Sequence, residues 1–287
     1  MSTLDHKIDF AVIISVRKAN PNGDPLNGNR PRQNYDGFGE ISDVAIKRKI
    51  RNRLQDIGEN IFVQSNDRII DGFKSLRERA DGNDELSKIM KSKEGSNEMF
   101  ASVACKEWID VRSFGQVFAF KSAGKGGGVS VGVRGPVSIR TAVSIDPITI
   151  NSMQITKSVN SEPGNEKGSD TMGMKHFVDY GLYLCCGSIN TQLAEKTGFT
   201  NQDAEKIKQA LVTLFENDAS SARPDGSMEV NKVIWWDHNS KLGQYSSAKV
   251  HQCVKITPKV EMPKIFEDYN TDVNELEGLK VQIIDGI

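Results

Sequence analysis

The fold is decided by the run Ile8-Asp9-Phe10-Ala11-Val12-Ile13-Ile14-Ser15-Val16, which is rich in β-branched and apolar side chains. Apolar residues occupy both alternating sets of positions, so both faces of this strand are expected to be covered. Such a strand belongs in the middle of a sheet. The chain of 287 residues is long enough to bury a large core around it.

A polar segment follows this strand and predicts a long loop. Residues 20–32 are rich in Pro, Gly and Asn, which exclude regular structure. Amides and exposed backbone N–H groups in such a loop suit phosphates or bases, and its arginines add positive charge. The residues with this binding chemistry are Asn20, Asn22, Gly23, Arg30 and Arg32. A turn cluster with no binding role is the alternative for this loop.

The next segment predicts a helix that begins after Ser42 and ends before Gly58. Its apolar residues recur at spacings of three and four, at Ile46, Ile50, Leu54 and Ile57. At about 100° per residue, the basic side chains fall on the side away from this stripe. These are Lys47, Arg48 and Arg51. We therefore expect a helix with its apolar face inward and a basic face toward solvent.

The middle of the chain predicts an insertion and then two strands. Residues from about 59 to 110 are typical of mixed helix and loop, whereas residues 117–120 and 139–145 predict strands. Between these strands, residues 121–128 are glycine-rich and carry Lys121 and Lys125. This segment suits a flexible loop that contacts a sugar-phosphate backbone, and a surface loop without a ligand is the alternative.

A second long segment, residues 151–175, predicts a projecting arm, because it is too long for a plain connection. Met172 and Met174 lie in the arm, where they would either wedge between bases or pack against the domain. The further elements expected are strands at 180–186, 230–236 and 250–256 and a helix capped by Thr200. This order favours an α+β fold with a split βαβ, ferredoxin-like topology, and an ordinary α+β domain is the alternative.

Charge is unevenly distributed along the chain. The net charge is −1, yet residues 17–53 carry a net charge of +5 and residues 112–140 also carry +5, including Arg134 and Arg140. Residues 261–287 carry −5. A solvated face would explain each segment, but separation of this kind often marks different partners.

Several classes of protein are disfavoured. No run of eighteen apolar residues predicts a membrane span, and the N-terminal residues do not resemble a secretory signal, so we expect a cytoplasmic protein that does not contact a membrane. The four cysteines and four histidines show none of the spacings typical of zinc sites. Phosphate-loop and nucleotide-fingerprint glycine motifs are absent as well. We therefore expect no metal and no cofactor.

Three motifs resemble the Cas-seven family of the RAMP superfamily, and specifically the guide-RNA-binding (crRNA-binding) backbone subunit of type I-C CRISPR Cascade complexes. The first is the loop at 20–32 followed by residues 41–51. The second is Asp110-Val111-Arg112-Ser113-Phe114-Gly115, which is similar to the D-V-x-x-F-G element of the family. The third runs from residue 168 to residue 183. The resemblance covers most of residues 8–257.

The resemblance implies a single RRM-like (ferredoxin-like) palm over residues 1–287. The other expected parts are a finger insertion at about 59–110, a thumb arm at about 151–178 and an acidic tail at 260–287. Copies of the chain would stack head to tail along the guide and present it to target DNA, together with a guide-processing subunit, a large subunit and a small subunit. The residues expected to contact RNA are Asn20, Asn22, Gly23, Arg30, Arg32, Lys47, Arg48, Arg51, Lys121, Lys125, Arg134, Arg140, Met172, Met174 and Lys175.

The resemblance implies a subunit without catalytic activity. A metal-dependent RNA endonuclease that uses Asp24 or Asp36 is the enzymatic alternative, although turn formation explains a loop aspartate equally well. A protein that oligomerises without nucleic acid is a third hypothesis.

Overall fold

The computed structural model describes residues 2–92, 96–120, 129–157 and 172–287. The strands are β1 (Ile8–Ala19), β2 (Gly23–Asp24), β3 (Arg30–Pro31), β4 (Phe38–Ile41), β5 (Gly115–Phe120), β6 (Val129–Arg134), β7 (Val137–Ile139), β8 (Ala142–Pro147), β9 (Ile150–Thr156), β10 (Met172–Ile189), β11 (Met228–Asp237), β12 (Val254–Pro258), β13 (Tyr269–Val273) and β14 (Lys280–Asp285). The helices are α1 (Asp43–Asp56), α2 (Leu76–Asp81), α3 (Asp84–Lys91), α4 (Asn97–Glu107), α5 (Ile109–Phe114), α6 (Thr191–Thr197), α7 (Asn201–Val212) and α8 (Ser247–His251).

One antiparallel sheet organises the chain, with strand order β14-β11-β1-β10-β8-β4 and with β7 and β9 also paired to β10. β10 lies between β1 and β8, and β1 lies between β10 and β11. In the unit β1–α1–β8, the two strands are therefore separated in the sheet by β10. In the unit β10–α7–β11, the two strands are separated by β1. The predicted α+β class is confirmed.

Both faces of β1 are buried, as its sequence predicts. On one face, Phe10 and Val12 pack with Ile50 of α1 and Ile207 of α7 in the first core. On the other face, Ala11 and its neighbours pack against α8, β12 and β13 in the second core. The face carrying the second core is called the helix-poor face below, because only the short helix α8 contributes to it.

The predicted caps of the two long helices are confirmed. The Ser42 side chain accepts a hydrogen bond from the Ala45 N–H, and Thr200 forms a capping box with Asp203. After α1, Gly58 has a φ of 91°, in the region that glycine adopts without strain. Local sequence therefore sets where both helices begin.

The insertion has its own aromatic core. The Phe62 ring lies 4.7 Å from the Trp108 ring and 5.0 Å from the Phe118 ring, and Phe100 also lies 5.0 Å from Phe118. Phe118 and Val131 belong to the hairpin β5–β6. The insertion therefore continues beyond residue 110 and includes this hairpin.

Several segments differ from the sequence-based expectation. The strand expected at 139–145 is divided into β7 and β8, because each pairs with a different part of β10. In the strand expected at 250–256, the first two residues end α8, whose first turn is capped by Ser246. The acidic segment 260–287 forms β13 and β14, and β14 extends the main sheet beside β11. That segment is thus part of the fold.

No helix in the described part of the chain is both long and apolar enough to cross a membrane.

Gly187 provides a test of packing between β1 and β10. It lies opposite Phe10, and an added Cβ would overlap the Phe10 ring and approach the Ser138 carbonyl oxygen to 2.6 Å. Gly187→Ala is expected to lower the free energy of unfolding by about 1–3 kcal/mol, measured by urea denaturation. Adding Phe10→Leu should recover part of this loss.

The matched control is Gly173→Ala in the same strand, where an added Cβ would lie 3.5 Å from the Ile155 side chain. This is ordinary contact, so a change within about 0.5 kcal/mol is expected. Equal effects of the two substitutions would contradict the packing argument.

Candidate nucleic-acid interface

The loop at 20–32 is folded, and its amides make internal contacts. Asn20 Nδ2 donates to the Asn29 carbonyl oxygen at 2.6 Å, and Asn22 Oδ1 accepts from the Ser42 N–H at 2.9 Å. Gly23 lies against the Asn29 backbone, since an added Cβ would lie 3.0 Å from that carbonyl oxygen. The loop also contains β2, β3 and one 3-10 turn. These side chains therefore hold the loop in shape and attach it to the start of α1.

The two loop aspartates differ in their contacts. Asp24 Oδ1 accepts from the Leu26 N–H at 3.2 Å and lies 3.6 Å from Arg32 Nη2. The Asp36 N–H donates to Asn34 Oδ1 at 3.0 Å, which makes a tight turn. Asp24 therefore shapes the loop and neutralises part of the Arg32 charge. In the described part of the chain, no group of three His, Cys, Asp or Glu residues is arranged to hold a metal ion.

Arg30 joins this loop to the arm. Its Nη1 donates to Ser152 Oγ on β9 at 2.9 Å, and His176 Nδ1 on β10 lies 2.8 Å from the same oxygen. Within the described residues, Arg30 forms no ion pair with a carboxylate. The loop and the base of the arm thus form one continuous polar surface, which we call the loop–arm surface. It comprises Arg30, Ser152 and His176. Lys175 precedes His176 in β10 and therefore points to the opposite face of the ribbon.

The described part of the arm is the two-stranded ribbon β9–β10. Met172 and Met174 are 61% and 56% exposed, so neither packs against the domain. The register places Met174 opposite Gln154 and Lys175 opposite Met153, so Met174 and Lys175 occupy opposite faces of the ribbon. The residues between 158 and 171 lie outside the described residues.

The arm begins where β1 and β10 change which side faces the core. In a regular strand, residues three positions apart point to opposite faces. Val16 and Ala19 nevertheless both contact the first core, because Lys18 between them has a φ of 52°. Lys18 forms an ion pair with Asp179 on β10, and its Nζ lies 5.7 Å from the Phe177 ring. A left-handed residue with these contacts therefore marks the boundary between the sheet and the arm.

The basic face of α1 does not point to solvent as expected. Lys47 pairs with Asp43 at 3.0 Å, Arg48 donates to the Val63 carbonyl oxygen at 2.6 Å, and Arg51 Nε donates to Asp110 Oδ2 at 2.9 Å. Burial lowers the pKa of Arg48, and the nearby Arg51 charge acts in the same direction. The helical wheel placed these side chains correctly away from the first core, but the insertion supplies the partners of Arg48 and Arg51, and Lys47 pairs within α1.

Asp110 is the centre of this attachment. It is 0% exposed, and its oxygens also accept from the Phe62 N–H at 2.7 Å and the Val63 N–H at 3.1 Å. The Arg51 guanidinium lies 5.0 Å from the Phe114 ring. We call this the Asp110 anchor, and it ties the insertion to the palm.

The remaining expected RNA contacts are dispersed. Arg134 is exposed at the end of the insertion hairpin, and Arg140 is exposed between β7 and β8. Lys121 and Lys125 lie outside the described residues. The structure therefore places Arg30 on the ribbon face that carries Met172 and Met174 and Lys175 on the opposite face, and it does not bring the cations of α1 or Arg140 to them.

Ser152 and His176 are loop–arm residues that the sequence did not single out for RNA contact. Their importance depends on the pairing of β9 with β10, which places them opposite each other. An isolated serine in a polar segment gives no such signal. The D-V-x-x-F-G motif was visible in the sequence, but the pairing of its aspartate with Arg51 appears only in three dimensions.

Comparisons with known proteins agree with this architecture. A family model described as CRISPR-associated protein Cas7 matches residues 6–274. A curated relative, CRISPR-associated protein Cas7 of Haloferax volcanii, is 26% identical over 235 residues, which cover 77% of this chain and 67% of the relative.

Two solved structures are also similar. A chain of a "CRISPR RNA-guided surveillance complex, pre-nicking" has a TM-score of 0.50 at 17% identity and covers 80% of this chain and 78% of its own. A chain of a "CRISPR RNA-guided surveillance complex" has a TM-score of 0.45 at 16% identity, with 80% and 68% covered. The first shows a shared fold. Because the family model spans the loop, the insertion, the arm and the main strands from β1 to β13, the chain belongs to the Cas7 family of CRISPR-associated proteins.

Proposed function

We propose that this chain is a non-catalytic, crRNA-binding backbone subunit of a type I-C CRISPR surveillance complex in the cytoplasm. Copies stack head to tail along the guide and hold it for pairing with target DNA. A guide-processing subunit, a large subunit and a small subunit complete the particle. Membership of the Cas7 family and the shared fold with a chain of an RNA-guided surveillance complex support this proposal.

The observation that carries the proposal is the loop–arm surface. Arg30 is oriented by a neutral hydroxyl and forms no ion pair with a carboxylate in the described residues. Its charge therefore remains available to a phosphate. The exposed Met172 and Met174 on the same face of the ribbon offer flexible apolar side chains to bases. A sugar-phosphate backbone with splayed bases matches this combination.

The first test is co-purification of the chain with its companion subunits and a repeat–spacer transcript. One guide-length RNA in a particle that holds several copies of the chain is the expected result. Recovery of an assembly without nucleic acid would favour the oligomeriser hypothesis and reject the proposal.

A second experiment separates the proposal from the endonuclease alternative. The purified particle is expected to leave complementary RNA intact in magnesium. Cleavage that is lost on Asp24→Ala or Asp36→Ala would overturn the non-catalytic assignment. Asp24→Ala needs a folding control, because Asp24 also organises the loop.

Arg30→Ala should weaken RNA binding and reduce its salt dependence. One lost phosphate contact on single-stranded RNA should lower the slope of log K against log salt concentration by about 0.7. Filter binding over a salt series measures the slope. The matched control is Lys196→Ala, an exposed lysine on α6, since α6 follows the end of β10 remote from the arm. A similar change in slope for both variants would contradict the placement of RNA on the loop–arm surface.

A further inference from the structure

The helix-poor face of the sheet carries an open cleft that the loop–arm surface does not include. Here α8 and β12 cover only part of the sheet, and β8 and β10 remain open beside them. The cleft has a volume of about 540 Å³ and is bounded by residues of these four elements and of the short connections before β8 and after α8. This is within the size range of sites for small organic ligands.

The floor of the cleft is aliphatic. Val143 on β8 is 37% exposed and lies opposite Leu184 on β10, and Ile256 of β12 adds a third apolar side chain. Exposed apolar side chains on a sheet face give a flat surface for a planar or ring-shaped group. Sheets of the RNA-recognition type bind bases on the face that their helices leave free.

The charged side chains among the described lining residues of the cleft are all basic. Arg140 and Lys255 line it and are both exposed, and neither forms an ion pair within the described residues. Among the described residues that line the cleft, none is Asp or Glu. Three other cavities of the protein carry carboxylates, namely Glu195 with Asp203, Asp71 with Glu107, and Asp146 with Asp179 and Glu261. In a chain with 38 acidic and 37 basic residues, a cleft whose described lining residues include two cations and no carboxylate favours an anion.

A backbone carbonyl orients one further polar group of the cleft, near a buried carboxylate. His251 lines the cleft, its Nε2 donates to the Gly187 carbonyl oxygen at 3.0 Å, and the same nitrogen lies 3.6 Å from Asp9 Oδ1. Asp9 is 0% exposed, and this oxygen has no hydrogen-bond partner. Burial lowers the pKa of His251, so its imidazole is neutral at neutral pH and Nδ1 is an acceptor. A hydroxyl or an exocyclic amino group is the donor that this nitrogen suits.

We propose that this cleft binds one nucleotide of a single-stranded nucleic acid, with its phosphate between Arg140 and Lys255 and its base or sugar on Val143, Leu184 and Ile256. The inference rests on the proposed function for the source of the strand, which is either the guide or the target. It adds a second contact on the face of the sheet opposite α1 and α7. Sequence-independent binding is expected, because the cleft combines charge with an apolar surface.

The experiment compares salt-dependent binding of a labelled single strand of about twelve nucleotides, as RNA and as DNA, to the full chain. Arg140→Gln with Lys255→Gln should lower the slope of log K against log salt concentration by about 1.4, as expected for two phosphate contacts on a single strand. Lys106→Gln with Lys196→Gln is the control that removes the same charge elsewhere. An equal change in both double variants would show a general electrostatic effect and overturn the inference.

A second variant tests the cleft without changing charge. Val143→Trp places a large ring in the cleft at an exposed position and should lower affinity, while urea unfolding stays close to that of the wild type. Unchanged affinity with this variant would also overturn the inference.

The same variants in the purified particle identify the strand. If the variant particle loses its guide RNA at raised salt concentration, the cleft binds the guide. If the variant particle keeps the guide but loses binding of target DNA, the cleft binds the target. If the particle contains no RNA but the Arg140 and Lys255 effect persists on the isolated chain, the proposed function fails and the cleft assignment stands. If the Arg30 variant alone has an effect, the cleft assignment fails and the proposed function stands.

Discussion

Asp110→Ala is expected to lower the free energy of unfolding by about 3–5 kcal/mol, because it removes the acceptor of a buried ion pair. Arg51 would be left 13% exposed without its partner, and the Phe62 and Val63 N–H groups would lose their acceptor. Urea denaturation measures the loss. Hydrogen exchange should show its location, with protection falling at residues 62–63 and α4 before β1.

Asp81→Ala is the control for this prediction. Asp81 lies in the same insertion and pairs with Arg77 on the surface, with both side chains nearly half exposed. An exposed pair at this spacing contributes about 0.3–0.5 kcal/mol. Asp110→Asn keeps one oxygen for the Phe62 N–H and should fall between the two. Equal effects at Asp110 and Asp81 would refute the Asp110 anchor.

Trp235→Ala is the second large expected loss, again about 3–5 kcal/mol. The Trp235 side chain is 0% exposed, and its ring stacks on Phe10 at a centroid distance of 5.6 Å. Lys208 is 8% exposed, and its Nζ lies 4.9 Å from the same ring. Removing the ring therefore leaves a cavity in the first core and takes away the surface over which a buried ammonium lies. Urea denaturation measures the effect.

Trp235→Phe separates these contributions. It keeps an aromatic ring beside Phe10 and removes the Nε1–H, which donates to Asp237 Oδ1 at 3.0 Å. A smaller loss than for Trp235→Ala is expected. Ile283→Ala on β14, at a side chain 52% exposed, should change stability by no more than about 0.5 kcal/mol. A Trp235→Ala effect as small as that of Ile283→Ala would contradict the packing of the first core.

Elements with strong local patterns were predictable from the sequence. The doubly apolar run of β1 and the caps at Ser42 and Thr200 gave the central strand and the starts of α1 and α7, because these signals act over a few residues. The extent of the insertion was not predictable, since Phe118 joins Phe62 across more than fifty residues of chain. β14 was missed because its segment is dominated by acidic residues, and its pairing with β11 is non-local.

The candidate site was predictable in composition but not in arrangement. The loop, the arm and their cations were selected from residue types, which indicate chemistry. The family resemblance assigned Arg48 and Arg51 to RNA, and the helical wheel predicted that they face solvent, because it reports only which side faces away from one apolar stripe. Their partners, Val63 and Asp110, lie in the insertion, and a helical wheel gives no information on where the insertion packs. Replacing these two arginines to test RNA binding would therefore disturb the fold.

The left-handed backbone at Lys18 has a consequence for the loop that follows β1. Ala19 lies opposite Val178 of β10 and contacts the first core, because Lys18 reverses the side to which the next residue points. Deleting Lys18 would move Ala19 out of the first core and shift the start of the loop by one position relative to β10. The conformation of this single residue therefore fixes where the loop meets the base of the arm.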